Sequence, residues 1–415
     1  MNNQKVTVMS KLIFIINWVF ISSQQLLTKL LLSALFKREV PSGKQISNNI
    51  LVLKMGGLGD FLFGLPAFQL LKSEQPNSKI VLLTQVSFGG VHLDRLAKKK
   101  LLSLPWLDLV DEIFDAKHVI NGLSYKSMRE LKRTLSEYKF DTIISMPHPG
   151  EPFFTTLKKI IFLRSLGFGA CSVFGARQNY STAFFRKFHS EWGLAVHKTQ
   201  GPWRAVEEFL SEKHTITEEL LMFPERKFSE KIDVKKLLAE IIQDYDAYIT
   251  ISPGATADWK NWGFENYRDL ILTLHQELKN RNICIILTGP PSDTSLGHSL
   301  ELGVNVFSFI GKFTITELAA IQQKAICTLG ADGGAVHLAA FSGAQVISLS
   351  NGAEEPGVVT PVGPKVLEHR NLTSCTPCFG MTFCAYGHAK CLKDIKVSAV
   401  MDSIIHIVDS IETQG

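Results

Sequence analysis

The sequence predicts an α/β protein of two doubly wound, Rossmann-like domains facing one interdomain cleft, and two observations carry that prediction. Short apolar, β-rich runs alternate with segments of helical period along most of the chain, the pattern left by strands and crossover helices of a parallel sheet. Two glycine-rich turns, Gly56-Gly57-Leu58-Gly59-Asp60 and Gly330-Ala331-Asp332-Gly333-Gly334, each follow an apolar run and open a helical segment. Each should therefore set backbone N–H groups and one carboxylate at a helix N-terminus. The length agrees, because 415 residues exceed what one core supports at about 150 residues per domain.

The elements follow in order. Asn49 to Met55 is a buried strand stopped by glycines, and Phe61 to Lys72 carries apolar residues at helical spacing before Pro76. Lys79 to Thr84 is the next strand, which completes a βαβ unit with a right-handed crossover. A strand from Val110 to Phe114, a helix from Ser127 to Tyr138 and a strand from Asp141 to Met146 continue the alternation, and Pro147-His148-Pro149-Gly150 turns the chain. In the second half the strands are Tyr248 to Ser252, Ile283 to Thr288, Ile326 to Leu329 and Gln345 to Leu349. The helices there are Phe264 to Lys279, Thr316 to Ala325, Ala335 to Phe341 and Val397 to Ile411. The polar stretch from Lys213 to Asp246 holds the boundary. This gives an N-terminal extension over 1–44, a first domain over 45–225, a linker over 226–246 and a second domain over 247–415.

The extension stands apart. Leu12 to Phe36 is rich in Leu, Ile and Phe but is broken by Asn17, Ser22, Ser23, Gln24, Gln25, Thr28 and Lys29. A spanning helix wants about 20 mostly apolar residues, so the interruptions weaken that reading, and the want of a well-formed small-residue cleavage site weakens that of a secretory signal. Two readings remain: an interfacial helix carrying Trp18, Lys29, Lys37 and Arg38 at a membrane surface, or an amphipathic helix packed on the protein itself.

Net charge is +5, with clusters at Lys98-Lys99-Lys100, Lys158-Lys159 and Arg186-Lys187. No zinc-finger, helix-turn-helix or ribonucleoprotein signature accompanies them, so nucleic acid is not an expected partner. Of seven cysteines, Cys171, Cys284 and Cys327 are isolated, the last two in apolar runs typical of buried reduced thiols. The others form Cys375-x2-Cys378-x5-Cys384-x6-Cys391, with His388 among them. That spacing suits a structural zinc or, alternatively, four packed thiols. An odd count in a large chain points to a reducing cytoplasm rather than a disulfide scaffold.

The first glycine turn is not a dinucleotide fingerprint. After Gly57 and Gly59, Leu62 stands where a third glycine belongs, and no Lys-Ser or Lys-Thr pair completes a P-loop. With no Tyr-x-x-x-Lys pair in the first half either, epimerase or dehydrogenase chemistry is disfavoured. What the turn delivers is Asp60, either as a helix cap or as a general base projecting toward a ligand. In the second turn Gly333 and Gly334 let backbone amides approach a phosphate, flanked by Asp332 and His337, for which a cap and a core contact are the alternatives. Ser252 and Gly254, and likewise Thr288 and Gly289, follow strands at their carboxyl ends, where open α/β sheets bind ligands. Lys260, between Trp259 and Trp262, is placed to clamp a diphosphate or is a solvent lysine beside two core-capping rings.

Taken together, Ile50 to Asp60 with Leu65-Pro66-Ala67, Ser252-Pro253-Gly254-Ala255 with Lys260-x-Trp262, Leu287-Thr288-Gly289, Asp332 to Ala340 and Cys375-x-Pro377-Cys378 resemble glycosyltransferase family 9. These are the heptosyltransferase-like enzymes of bacterial lipopolysaccharide assembly. The resemblance runs from Ile50 to the C-terminus. It implies a GT-B architecture whose first domain binds the acceptor and whose second binds a nucleotide sugar. It further implies inverting transfer of a heptose or related sugar from an ADP-sugar, without metal or other cofactor, to a lipid-linked glycan at the cytoplasmic face of the inner membrane. In that family the first-turn Asp is the general base, which maps onto Asp60, while Lys260 and the amides after Asp332 would receive the departing diphosphate. One departure is the loop Asn351-Gly352-Ala353-Glu354-Glu355-Pro356, where family members carry a Gly-Pro-Thr-Asp-Pro-like loop near the nucleotide sugar. A non-catalytic nucleotide-sugar- or glycan-binding member of the same fold is the alternative.

Overall fold

The computed structural model describes residues 23, 26–27, 30–32, 34–35, 47–84, 109–115, 125–147, 153–175, 197–215, 232–239, 244–255, 257–378, 384 and 389–413. The chain divides into two compact units.

In the first unit, β1 (Asn49–Lys54), β2 (Lys79–Thr84), β3 (Glu112–Asp115), β4 (Thr142–Ser145) and β5 (Ser172–Phe174) form a parallel sheet in the order β3-β2-β1-β4-β5. Leu51 pairs with Val81 on one side and Ile143 on the other. Because successive side chains alternate between faces, Leu51, Leu53, Val81, Leu83 and Ile143 share one face. There they pack against α3 (Tyr125–Ser136) and α4 (Phe153–Ser165). α2 (Leu65–Glu74) and α5 (Gln200–Leu210) touch each other, and α5 also touches β4 and β5. These two helices bury Phe68, Leu71, Trp203 and Phe209.

The expected single helix after β1 is two helices, α1 (Leu58–Leu62) and α2, separated at Phe63 and Gly64. Pro66 explains the restart, since proline is tolerated in a helix's first turn but not in its interior. α4, β5 and α5 lie beyond the elements expected from the sequence. β5 ends on Gly175, whose φ of +77° and whose Cβ position only 2.0 Å from the Ser145 carbonyl oxygen leave room for no other residue.

In the second unit, β6 (Ala247–Ser252), β7 (Ile283–Leu287), β8 (Val306–Ser308), β9 (Thr328–Ala331), β10 (Val346–Ser350) and β11 (Val366–Arg370) form a parallel sheet in the order β11-β10-β9-β6-β7-β8. Its helices are α6 (Val234–Leu237), α7 (Phe264–Asn280), α8 (Thr294–Ser299), α9 (Ile315–Lys324), α10 (Gly334–Phe341), α11 (Lys390–Lys393) and α12 (Val397–Glu412). α9 opens on a capping box between Thr314 and Glu317. α12 buries Val400, Ile404 and Val408 in the same cluster as Leu270, Ile271, Leu274 and Leu278 of α7. α6, inside the stretch expected as a linker, is capped by Asp233 and touches α9, with Val234 and Leu238 buried.

Both sheets are therefore doubly wound, as expected. Each reverses direction beside its first strand, between β1 and β4 in one and between β6 and β9 in the other. Crevices at such reversal points, outside the strands' carboxyl ends, are where open α/β sheets bind ligands.

Candidate active site

In the first unit the reversal point is occupied by the Gly56–Asp60 turn. Gly56 has φ +128°, a conformation that side chains rarely adopt. Asp60, half-buried in α1, accepts a hydrogen bond from the Gly57 N–H on Oδ2 at 3.1 Å. The carboxylate thus stabilises its own turn. Lys54, which closes β1 just before this turn, has no exposed surface. Its Cε is 3.2 Å from where a Cβ on Gly64 would stand. A lysine closing an apolar strand is the available sequence signal for this buried side chain, which the motif reading passes over.

In the second unit the reversal point holds Lys260, Asp332 and His337 in mutual contact through the Asp332 carboxylate. Lys260 Nζ lies 3.1 Å from Asp332 Oδ2, and His337 Nε2 donates to Asp332 Oδ1 at 2.9 Å. Asp332 is 7% and His337 3% exposed. Burial alone would raise the Asp332 carboxyl, but the hydrogen bond from His337 and the charge of Lys260 outweigh it and hold the group well below the usual carboxylate range. Lys260 also sits 5.2 Å from the centre of the Trp259 ring. Trp262, by contrast, is wholly buried and donates to the Ile395 carbonyl. Lys260 is thus anchored on one side by a carboxylate and an aromatic face while a quarter of its side chain reaches solvent.

Ser252 and Thr288 meet through their hydroxyls at 2.8 Å, joining the ends of adjacent strands. Gly254 lies against Asp293, whose Oδ2 is 1.8 Å from the position of a Cβ there, and the same oxygen is 3.7 Å from the Cβ position of Gly289. Asp293 ends the Thr288–Asp293 stretch that the sequence sets at a strand's carboxyl end, but sequence reasoning missed its approach to Gly254. It also missed Arg370, which holds the Asn351–Glu355 loop by donating to the carbonyls of Asn351 at 2.7 Å and Glu354 at 3.0 Å while pairing with Glu368.

Two glycines of the turns are not demanded by the fold. Gly57 and Gly333 both have ordinary extended φ angles. A Cβ would meet nothing closer than 4.0 Å at Gly57 and 3.5 Å at Gly333. Gly333→Ala is accordingly expected to leave the thermal midpoint of the free protein unchanged and, if its amide meets the nucleotide sugar that the resemblance implies, to weaken that binding. The expected loss is about tenfold, within the roughly 1–3 kcal/mol of a steric misfit. Scanning calorimetry checks the first half and calorimetric titration the second, and equal donor affinity in the variant would remove the glycine from the site.

Cys171, Cys284 and Cys327 are buried free thiols, with burial pushing Cys284 and Cys327 up to about 12. The clustered cysteines are also free. Cys391 is buried and accepts the Gly352 N–H at 3.2 Å, and Cys375 meets Thr373 Oγ1 at 3.1 Å. Among the described residues no three His, Cys, Asp or Glu side chains gather into a metal-holding group. Of the two readings of Cys375, Cys378, Cys384 and Cys391, the zinc therefore finds no assembled ligand set among the described residues, although the four thiols are near neighbours: burial first, and then Cys378, Cys375 and Cys384, push the Cys391 thiol up. His388 lies outside the described residues.

The family model for glycosyltransferase family 9 (heptosyltransferase) matches residues 170–389. No match is found among curated proteins. Among solved structures, the chain is similar to a family 9 glycosyl transferase from Veillonella parvula, with TM-score 0.61, 17% identity, and coverage of 90% of this chain and 100% of that one. It is also similar to the E. coli ADP-heptose lipopolysaccharide heptosyltransferase II, with TM-score 0.59, 14% identity, and coverage of 88% and 99%. A third, E. coli heptosyltransferase WaaC with ADP, gives TM-score 0.56, 16% identity, and coverage of 86% and 99%. The two doubly wound sheets thus have the GT-B fold of these structures.

Proposed function

The chain belongs to glycosyltransferase family 9, and from that premise we propose that it transfers a heptose or closely related sugar from an ADP-sugar to a lipid-linked surface-glycan acceptor, inverting the anomeric centre. Residues 45–225 would form the acceptor domain and 247–415 the donor domain. The acceptor would be met at the cytoplasmic face of the inner membrane.

The chemistry suits the residues. One in-line displacement forms the bond between the acceptor oxygen and the anomeric carbon as the bond to the diphosphate breaks, and the acceptor's proton passes to the Asp60 carboxylate. Negative charge that develops on the departing diphosphate is met by the Lys260 ammonium and the amides of Gly333 and Gly334 at the start of α10. Asp332 and His337 are positioning residues for Lys260. Ser252, Gly254, Thr288 and Gly289 line the donor side, while Gly57 and Gly59 keep the backbone near Asp60 low. A nucleoside diphosphate leaves readily, so no group is assigned to protonate it.

The observation that carries this reading is the pairing of Lys260 with a buried, ionised Asp332 at the point where the second sheet reverses. A fixed cation there is what a diphosphate requires and what a folded sheet does not. The test is a thermal-shift panel of ADP-, GDP-, UDP- and dTDP-sugars on the full chain and on Lys260→Ala. Selective stabilisation by ADP-heptose, largely lost in the variant, is expected. Selective stabilisation by another nucleotide would move the donor, and none by any would leave only the glycan-binding form of the non-catalytic alternative.

A further inference from the structure

One face of the first unit is set apart by charge and by exposed leucines. Residues 23, 26–27, 30–32 and 34–35 are helical. Leu32 is buried in, and Leu35 packs against, the cluster that holds Leu131 and Leu135 of α3 and Ile160 and Leu163 of α4. The N-terminal helical segment, α3 and α4 therefore cover the same face of the first sheet. Pointing away from that core, Leu26, Leu27, Leu30 and Ile161 are 57%, 45%, 56% and 56% exposed. Residues 1–38, α3 and α4 together carry twelve of the 44 Lys and Arg residues but only one of the 39 Asp and Glu residues, Glu130. The remainder of the chain is net acidic. Upstream, residues 12–21 read Leu-Ile-Phe-Ile-Ile-Asn-Trp-Val-Phe-Ile. Among the described residues no helix is long and apolar enough to cross a membrane.

We propose that this face docks on an anionic lipid bilayer, with Leu26, Leu27 and Leu30 entering the acyl boundary and the lysines and arginines of α3 and α4 against the headgroups. Buried apolar area and basic charge act together in such binding. A second copy of the same face would set the seven positive charges of α3 and α4 against seven, and nucleic acid has no use for exposed leucines. Leu32 and Leu35 tie the lipid-facing segment to the fold, so the contact holds the first unit at the bilayer surface. The inference rests on the preceding reading only for its purpose, the capture of a lipid-linked acceptor.

The test is flotation of the full chain with vesicles of phosphatidylglycerol and phosphatidylethanolamine, against phosphatidylcholine vesicles, at low and high salt. Binding to the anionic vesicles is expected, weakened by salt and at least about tenfold weaker on phosphatidylcholine. Leu26→Ser/Leu27→Ser/Leu30→Ser should lower it about tenfold or more. Lys158→Glu/Arg164→Glu should lower it similarly, at about fivefold or more per charge. Both variants should keep the wild-type thermal midpoint. A full chain that stays with the vesicle-free fraction, or variants that float like wild type, would overturn the proposal. Loss of donor-induced stabilisation would instead strike the functional reading and leave the flotation result standing.

Discussion

Asp60→Asn is expected to lower the rate of sugar transfer by about 10²- to 10⁴-fold, the usual contribution of a positioned general base, while donor-induced thermal stabilisation is kept. The amide has the carboxylate's shape, and its oxygen can still accept the Gly57 N–H that Asp60 accepts at 3.1 Å. The hydrogen bond that holds the turn is therefore preserved while the proton acceptor is lost. Asp60→Ala removes both, so it should lose the same activity and in addition about 1 kcal/mol of stability, the typical worth of a helix cap. If Asp60→Asn retained turnover within a small factor of wild type, Asp60 would be a cap and nothing more.

The second large effect is expected at Asp332. Asp332→Asn leaves Lys260 and the buried His337 without their anion. Breaking a fully buried pair costs about 3–5 kcal/mol. Because Lys260 is partly exposed, screening by water brings the expected loss to about 2 kcal/mol. The pH dependence has a definite sign. The folded-state carboxyl is held below its unfolded value of 3.8, so its stabilisation is fully present above that value and fades as pH falls through the lower, folded one. Denaturation curves of wild type and Asp332→Asn should therefore differ at neutral pH and converge in strong acid. A constant difference across that window would mean that the ionised pair is not the source. The variant should also lose donor affinity, since Lys260 is no longer held in place.

Much of this site was legible before any coordinates. Both glycine turns, Asp60, Lys260, Asp332 and His337 announced themselves because glycines, strand ends and lone charges in apolar surroundings are local signals. The Lys260–Asp332 pair was not legible, because nothing in local spacing joins residues whose strands meet only through the sheet order. Asp293 against Gly254 and Arg370 under the Asn351–Glu355 loop escaped for the same reason. The missed elements have their own causes. β5, β8 and β11 have only three to five residues each, and β11 reads Val-Leu-Glu-His-Arg without an apolar run. α5 begins Gln-Gly-Pro-Trp, which looks like a turn although its proline falls in the first turn, where it is tolerated. The break between α1 and α2 hides inside an uninterrupted apolar pattern, because Gly64 and Pro66 change the backbone without changing the hydrophobic period.

The most direct test is the anomeric configuration of the product. The full chain would be incubated with ADP-heptose and a lipopolysaccharide-core acceptor, and the new glycosidic centre read by its proton–carbon coupling, for wild type and Asp60→Asn in parallel. The prediction is a single product of inverted configuration from wild type and almost none from the variant. A product that keeps the donor's configuration, or one formed as fast by Asp60→Asn, would contradict a single displacement driven by Asp60.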